Sequence, residues 1–190
     1  MNINSVTRTV YLLYTQIILR RELKQIGKKS IVFAPMQLDG IHNISIGECS
    51  FVGEKAWLYT NKESEKSDLR IGKNVTIGHF AHIVAWENVS IEDYVLIADK
   101  VFISDCTHEY EAIHTPIGLQ NIKALEKVKI GMGSWIGENA CIIGASVGKH
   151  CVIAANSVVT HNIPDYCVAV GAPAKVIKRF NLKTQKWERV

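Results

Sequence analysis

No apolar run in this chain approaches the roughly 20 residues needed to cross a bilayer. The most apolar stretch near the N terminus, Val10 to Leu19, is ten residues and already contains Thr15 and Gln16. It also lacks a cleavage site of small residues, which argues against a secretory signal. Cysteines at 49, 106, 141, 151 and 167 are odd in number and form no Cys-x-x-Cys pair. That spacing argues against a disulfide framework and a zinc knuckle, and leads us to expect reduced thiols in a cytoplasmic protein. Lys and Arg number 22 against 18 Asp and Glu, a net charge of +4 with no dense basic cluster. Such a balance suits a small anionic ligand and not a nucleic-acid surface.

What is present is apolar mass and a period. Apolar residues make up 47% of the 190 and charged residues 21%, enough for one core and too few charges for disorder. From residue 46 an aliphatic residue returns every six positions: Ile46, Val52, Leu58; Ile71, Ile77, Ile83; Ile91, Ile97, Ile103; Ile130, Ile136, Ile142; Val147, Ile153, Val159. A Gly or Ala often follows the anchor, as at Gly47, Gly72, Ala98 and Gly137. The fifth position of each unit is small or β-branched, as at Ser50, Ala81, Val95 and Ser157.

Six is neither the 3.6 of a helix nor the 2 of an isolated strand. It suits a short strand and a sharp corner, repeated, with the anchor and fifth position pointing inward. The expected fold is an all-β solenoid, a parallel β-helix of about five coils with an N-terminal helix and a long loop excursion. We read residues 1–190 as one domain: a helical segment over 1–29, the β-helix over 30–163 with its loop at 104–129, and a closing segment and tail over 164–190. The helix is expected over 5–26, with Ser5 as N-cap, Val6, Val10, Leu13, Tyr14 and Ile17 on one face, and Gly27 as the stop. It would pack on the prism, with contact to a membrane surface as the alternative.

The breaks in the pattern point to function. Seven extra residues separate Leu58 from Ile71, two separate Ile83 from Ile91, and twenty-one separate Ile103 from Ile130. Long loops thrown out of a compact solenoid are usually functional. The last one opens on Ser104-Asp105-Cys106-Thr107-His108 and continues through Glu109, Tyr110, Glu111, His114 and Pro116.

This pattern resembles the hexapeptide-repeat acyltransferase superfamily, in its sugar O-acetyltransferase branch (galactoside, maltose, colanic-acid and lipopolysaccharide acetyltransferases). The resemblance implies a left-handed coil, since parallel crossovers are otherwise nearly always right-handed. It also implies a homotrimer with clefts between prisms, acetyl-CoA as acyl donor, a carbohydrate acceptor and no metal. His108 matches the branch's catalytic base, and an imidazole, largely neutral at pH 7, suits proton abstraction from a hydroxyl. The polysaccharide-modifying enzymes commonly show Asp-His-x-His here; this chain has Asp105-Cys106-Thr107-His108, with Cys106 in place of the first histidine. His82 is a second candidate, as acceptor ligand or carbonyl polariser. Asp105 or Glu109 would orient His108.

For the donor, Trp135, Ala155 and Thr160 match positions that contact the pantetheine arm. Lys175 and Lys178, in Gly171-Ala172-Pro173-Ala174-Lys175-Val176-Ile177-Lys178, match phosphate-binding cations. His161 stands where the family usually has lysine. His79, His82, His108 and His114 lack the spacing of a zinc-binding set. The function expected is acetyl transfer from acetyl-CoA to a sugar hydroxyl of a surface polysaccharide or its precursor. N-acetylation of a nucleotide-linked amino sugar is the rival within enzymes, and a non-catalytic solenoid scaffold the rival outside them.

Overall fold

The protein is described from a computed structural model that covers residues 5–190. From Gln25 the chain passes through three parallel sheets in turn and then returns to the first. The third sheet has six strands, one per pass: Gln37–Asp39, Trp57–Thr60, His82–Ala85, Phe102–Ser104, Cys141–Ile143 and Val158–Val159. There are therefore six passes where the sequence led us to expect about five. The extra one is the first, carried by Ile26, Val32 and Leu38 at the same six-residue spacing.

The inward positions are those the period predicts. Ile77, Ile83, Ile97, Ile103, Ile136 and Ile142 have no exposed surface, each side chain contributing roughly 1.5–3 kcal/mol on burial. The fifth positions Ala56, Val75, Val95, Ala140 and Ser157 are equally enclosed. Where that residue is serine, its hydroxyl joins successive coils. Ser50 Oγ donates to the Gly72 carbonyl (2.7 Å) and accepts the Val75 N–H (3.1 Å). Ser134 likewise bridges the Gly148 carbonyl and the Cys151 N–H.

Two edges of the prism turn by one device. Three residues after each anchor the backbone enters the left-handed region, with φ of 53° to 60° at Cys49, Lys55, Asn74, Phe80, Tyr94 and Lys100. For side chains other than glycine this costs about 1–2 kcal/mol each, offset by the ladder that the turn lets form. The residue after the anchor is usually small because coils touch there: a Cβ on Gly72 would lie 2.7 Å from the Asp93 nitrogen. The third edge follows no such rule, and all the insertions leave from it.

The N-terminal segment departs from expectation. Helix α1 spans Ser5–Leu13, a wider turn follows at Tyr14–Ile18 and a tighter one at Leu19–Arg21, and Gln25–Ile26 is already strand. Gly27 is thus a corner residue and not a helix stop; a Cβ there would collide with the Glu48 backbone. The wide turn places Thr15 and Gln16 on the first coil. Thr15 Oγ1 accepts the Val32 N–H (3.0 Å), and Gln16 Nε2 donates to the Gly27 and Ser30 carbonyls. Tyr11 meets Phe33 edge-on at 4.6 Å, and Leu19 and Leu23 cover the open end of the core. The face read as apolar points outward instead: Val10, Leu13 and Ile17 are 56%, 53% and 52% exposed. Among the described residues no helix is long and apolar enough to cross a membrane.

At the other end Cys167–Val170 still pairs in parallel with Val152–Ile153, so the solenoid runs past the expected limit of 163. The chain then reverses, and Lys175–Asn181 and Lys186–Arg189 extend the second sheet as an antiparallel hairpin.

Candidate active site

Stacking of the third sheet brings together residues far apart in sequence. Trp57, His82, Phe102 and Cys141 each precede an anchor and fall in register on its outer face. The His82 ring lies parallel to the Trp57 indole, 4.3 Å between centroids and 7° between planes, and 5.3 Å from Phe102. Burial between these rings pulls the His82 pKa below its usual 6.5, so the imidazole stays neutral at pH 7.

His108 reaches the same place from the loop. Cys106–His108 pairs antiparallel with Ile122–Ala124, His108 opposite Ile122, so the first part of the excursion is a hairpin folded beside the sheet. A cavity of about 410 Å³ lies between them, lined by Trp57, Tyr59, His82, Trp86, Cys106 and His108, among others. Both predicted histidines therefore face one space. Cys106 is a half-buried thiol whose pKa is raised by desolvation. Ser104 Oγ lies 3.5 Å from its sulfur and opposes that shift, but desolvation prevails and keeps the thiol protonated and a weak nucleophile.

Asp105 does not orient His108. Its carboxylate is 1% exposed and accepts the N–H groups of Trp86 (2.6 Å), Glu87 (2.8 Å) and Asn88 (2.6 Å). Three charge-assisted bonds bind the start of the long loop to the short insertion one coil below. The reason is direction: the carboxylate points into the prism edge while the chain carries His108 outward. Glu111, further along, pairs with Lys123 across the hairpin (2.9 Å), and that bond lowers its pKa to about 2. His114 lines a separate groove at the loop tip with Tyr110 and Pro116. A larger groove, about 570 Å³, lies against the second sheet beside Arg8, His79 and Asp99. Its polar groups serve the corners: His79 Nδ1 accepts the Glu54 N–H (3.0 Å) and Asp99 accepts the His79 N–H (2.7 Å).

The residues expected to meet the donor surround the upper coils. Trp135 projects from the second sheet, in register with Leu96 and Val152 and half exposed. Ala155 is exposed at the next corner, where a Cβ on Gly137 would stand 2.5 Å from its nitrogen, so only small residues fit beneath it. Thr160 Oγ1 lies 3.1 Å from His161 Nδ1 on the third edge, in a groove of about 390 Å³ shared with Leu125 and Gly144. Lys175 and Lys178 are exposed on the strand antiparallel to Cys167–Val170. Exposed cations above a smooth corner fit a long arm with anionic phosphates. The Gly171–Ala174 turn also closes the third sheet: Val158 N–H donates to the Gly171 carbonyl and Ala174 N–H to the Val158 carbonyl.

The aromatic lining was not foreseen. The period does not single out Trp57, Tyr59, Trp86 or Phe102, although two of them, Trp57 and Phe102, stand immediately before an anchor as His82 does.

A sequence model of the family described as "Hexapeptide repeat of succinyl-transferase" matches residues 127–161. Over 123 residues the chain is 40% identical to WbbJ of Escherichia coli K12, a protein named for O-acetyl transfer in lipopolysaccharide biosynthesis; the match covers 61% of this chain and 63% of that one. It is 35% identical over 132 residues to the galactoside O-acetyltransferase of the same strain (68% and 64%). Over 172 residues it is 34% identical to a Mycobacterium tuberculosis protein named as an acetyltransferase (90% and 54%). The chain thus spans between about half and two thirds of the length of these relatives. Among solved structures, the N-acyltransferase AntD from Bacillus cereus, in complex with dTDP and 3-hydroxybutyryl-CoA, superposes with a TM-score of 0.75 at 18% identity, covering 90% of each chain. Ladder, repeat and relatives agree in likeness: over the matched residues the chain is similar to the hexapeptide-repeat acyltransferases. Its sequence relatives include the sugar O-acetyltransferases.

Proposed function

We propose that this protein transfers an acetyl group from acetyl-CoA to a hydroxyl of a sugar, within a surface polysaccharide or its precursor. The observation that carries the reading is the shared cavity of His108 and His82 below a run of donor-matching residues. Acetyl-CoA supplies the activated acyl group as a thioester. His108 takes the proton of the attacking hydroxyl, neutral His82 holds or polarises an oxygen, and backbone N–H groups steady the developing charge. No acyl-enzyme is needed, and the raised Cys106 pKa argues against one. Trp135, Ala155, Thr160 and His161 would lie along the arm, and Lys175 and Lys178 would meet the phosphates.

The same reading includes a left-handed coil and a homotrimer. Support for the trimer comes from the loop tip, where Ile113 and Leu119 stand 86% and 78% exposed, and from the one-sided cavity. A reducing cytoplasmic setting fits five thiols with no disulfide among them. The outer face of α1 is read as a peripheral membrane contact. Exposed Val10, Leu13 and Ile17 support this, as does the absence of any acidic residue before Glu22.

The test is release of CoA thiol across a panel of pyranosides and nucleotide-linked amino sugars, with light scattering on the same sample. Turnover only with free-amine acceptors would replace the O-acetyl reading. A melting temperature unmoved by millimolar acetyl-CoA would end the transferase reading altogether. A monomer mass would remove the intersubunit cleft.

A further inference from the structure

The cavity beside His108 is walled by aromatic rings, more than proton transfer requires. The Tyr59 and Trp86 rings lie parallel, within 1°, their centroids 6.4 Å apart. Next to them is the Trp57–His82 stack. The Trp57 ring is held before any ligand arrives. Trp57 Nε1–H donates to Asp39 Oδ2 (2.7 Å), and Gln37 Nε2 donates to the other oxygen of the same carboxylate (2.9 Å). Trp86 belongs to the two-residue insertion after Ile83, and its backbone N–H is bound by buried Asp105. The repeat does not call for an indole there, and the insertion puts one over the cavity. No Lys, Arg, Asp or Glu is among the lining residues.

We propose that Tyr59 and Trp86 form a platform for the apolar C–H face of the acceptor's sugar ring, with His108 at the wall facing its hydroxyls. This rests on the transferase reading for the word acceptor, and on the geometry for the ring. A pyranoside offers a continuous face of C–H groups that an aromatic plane covers favourably, while its edge keeps hydroxyls free for the histidines. An open-chain polyol has no such face, and an acidic sugar finds no cation here. The site therefore selects a neutral pyranoside unit, and its charge-free lining selects against a carboxylate or phosphate at this subsite.

The experiment uses methyl galacto-, gluco- and mannopyranoside with full-length protein. Saturation-transfer NMR should mark the C–H face protons of at least one pyranoside in the wild type and lose that signal in Trp86→Ala. The KM for that sugar should rise about tenfold, the weight of one aromatic contact near 1.4 kcal/mol. Its kcat should stay within about threefold, and Trp86→Phe should recover part of the loss. If Trp86→Ala does not fold, Tyr59→Leu and Trp86→Phe carry the same comparison. Wild-type KM and saturation in a folded Trp86→Ala protein would overturn the platform. Saturation of the base protons of dTDP, with none in any pyranoside, would also overturn it. Pyranoside saturation without thiol release from any acceptor would leave the platform standing and remove the transferase reading. Thiol release without saturation would do the reverse.

Discussion

Two edges of the prism repeat one rule and the third repeats none. At the regular edges an anchor, a small residue and a left-handed residue recur in fixed order, as in Ile71-Gly72-Lys73-Asn74 and Ile77-Gly78-His79-Phe80. Asp93 Oδ1 even accepts the Lys73 N–H (2.7 Å) to stitch one corner to the next. At the third edge the connections run from a couple of residues at Trp86–Glu87 to the whole excursion after Ser104. The two candidate histidines gather beside this edge, because a corner that every coil must share has little freedom to hold a special residue. The regular edges supply rigidity and the irregular one supplies the candidate pocket.

The largest test of this contrast is one inserted residue. A glycine placed between Lys73 and Asn74 breaks the corner and turns every following side chain of that coil to the wrong face. We expect no cooperative melt. The same glycine between Lys62 and Glu63, in the third-edge loop, should shift stability by less than about 1 kcal/mol. Equal damage from both would refute the division.

The next test concerns residues within the third edge. His108→Ala should lower kcat by about 10²- to 10⁴-fold with acetyl-CoA binding retained. A purified variant with more than about a tenth of wild-type kcat would remove His108 as base. Asp105→Asn should do the opposite, costing about 2 kcal/mol of stability as backbone N–H groups lose a charged acceptor. Its kcat should stay within a few-fold, and a loss matching that of His108→Ala would restore Asp105 to the catalytic group.

The smallest effect is a pH slope. Burial lowers the folded-state pKa of His82 below 6.5. As pH falls through that value, the unfolded chain takes up a proton that the folded chain resists, so stability declines. Above it the contribution is complete. His82→Phe should flatten the stability profile below pH 6.5, as read by urea melts at successive pH values. Parallel profiles for variant and wild type would sink the assignment.

What was legible in the sequence follows from the same contrast. Inward isoleucines every six residues announce three sheets, because any slip would expose them. The first coil was hidden because Gly27 follows Ile26 and reads equally well as a helix stop; only its contact with the Glu48 backbone decides. The aromatic wall was hidden for a different reason. Trp57, His82 and Phe102 occupy outward positions, which the repeat leaves unconstrained, and they meet only when coils are stacked. Asp105 has the right chemistry beside His108 in the chain, but three backbone N–H groups from another coil claim it. Adjacency in sequence was a poor guide there.

The reversed hairpin at the C-terminal end has a consequence for self-association. A parallel ladder ends in a bare strand edge, which invites another chain to add on. Here the edge beyond Cys167–Val170 is covered by Lys175–Asn181 running the opposite way, and that strand by Lys186–Arg189. The outermost strand carries one indole among three charges, with Lys186, Trp187, Glu188 and Arg189 all exposed. A further prism could not continue the coil across it, and the exposed charges discourage growth from that margin into fibres.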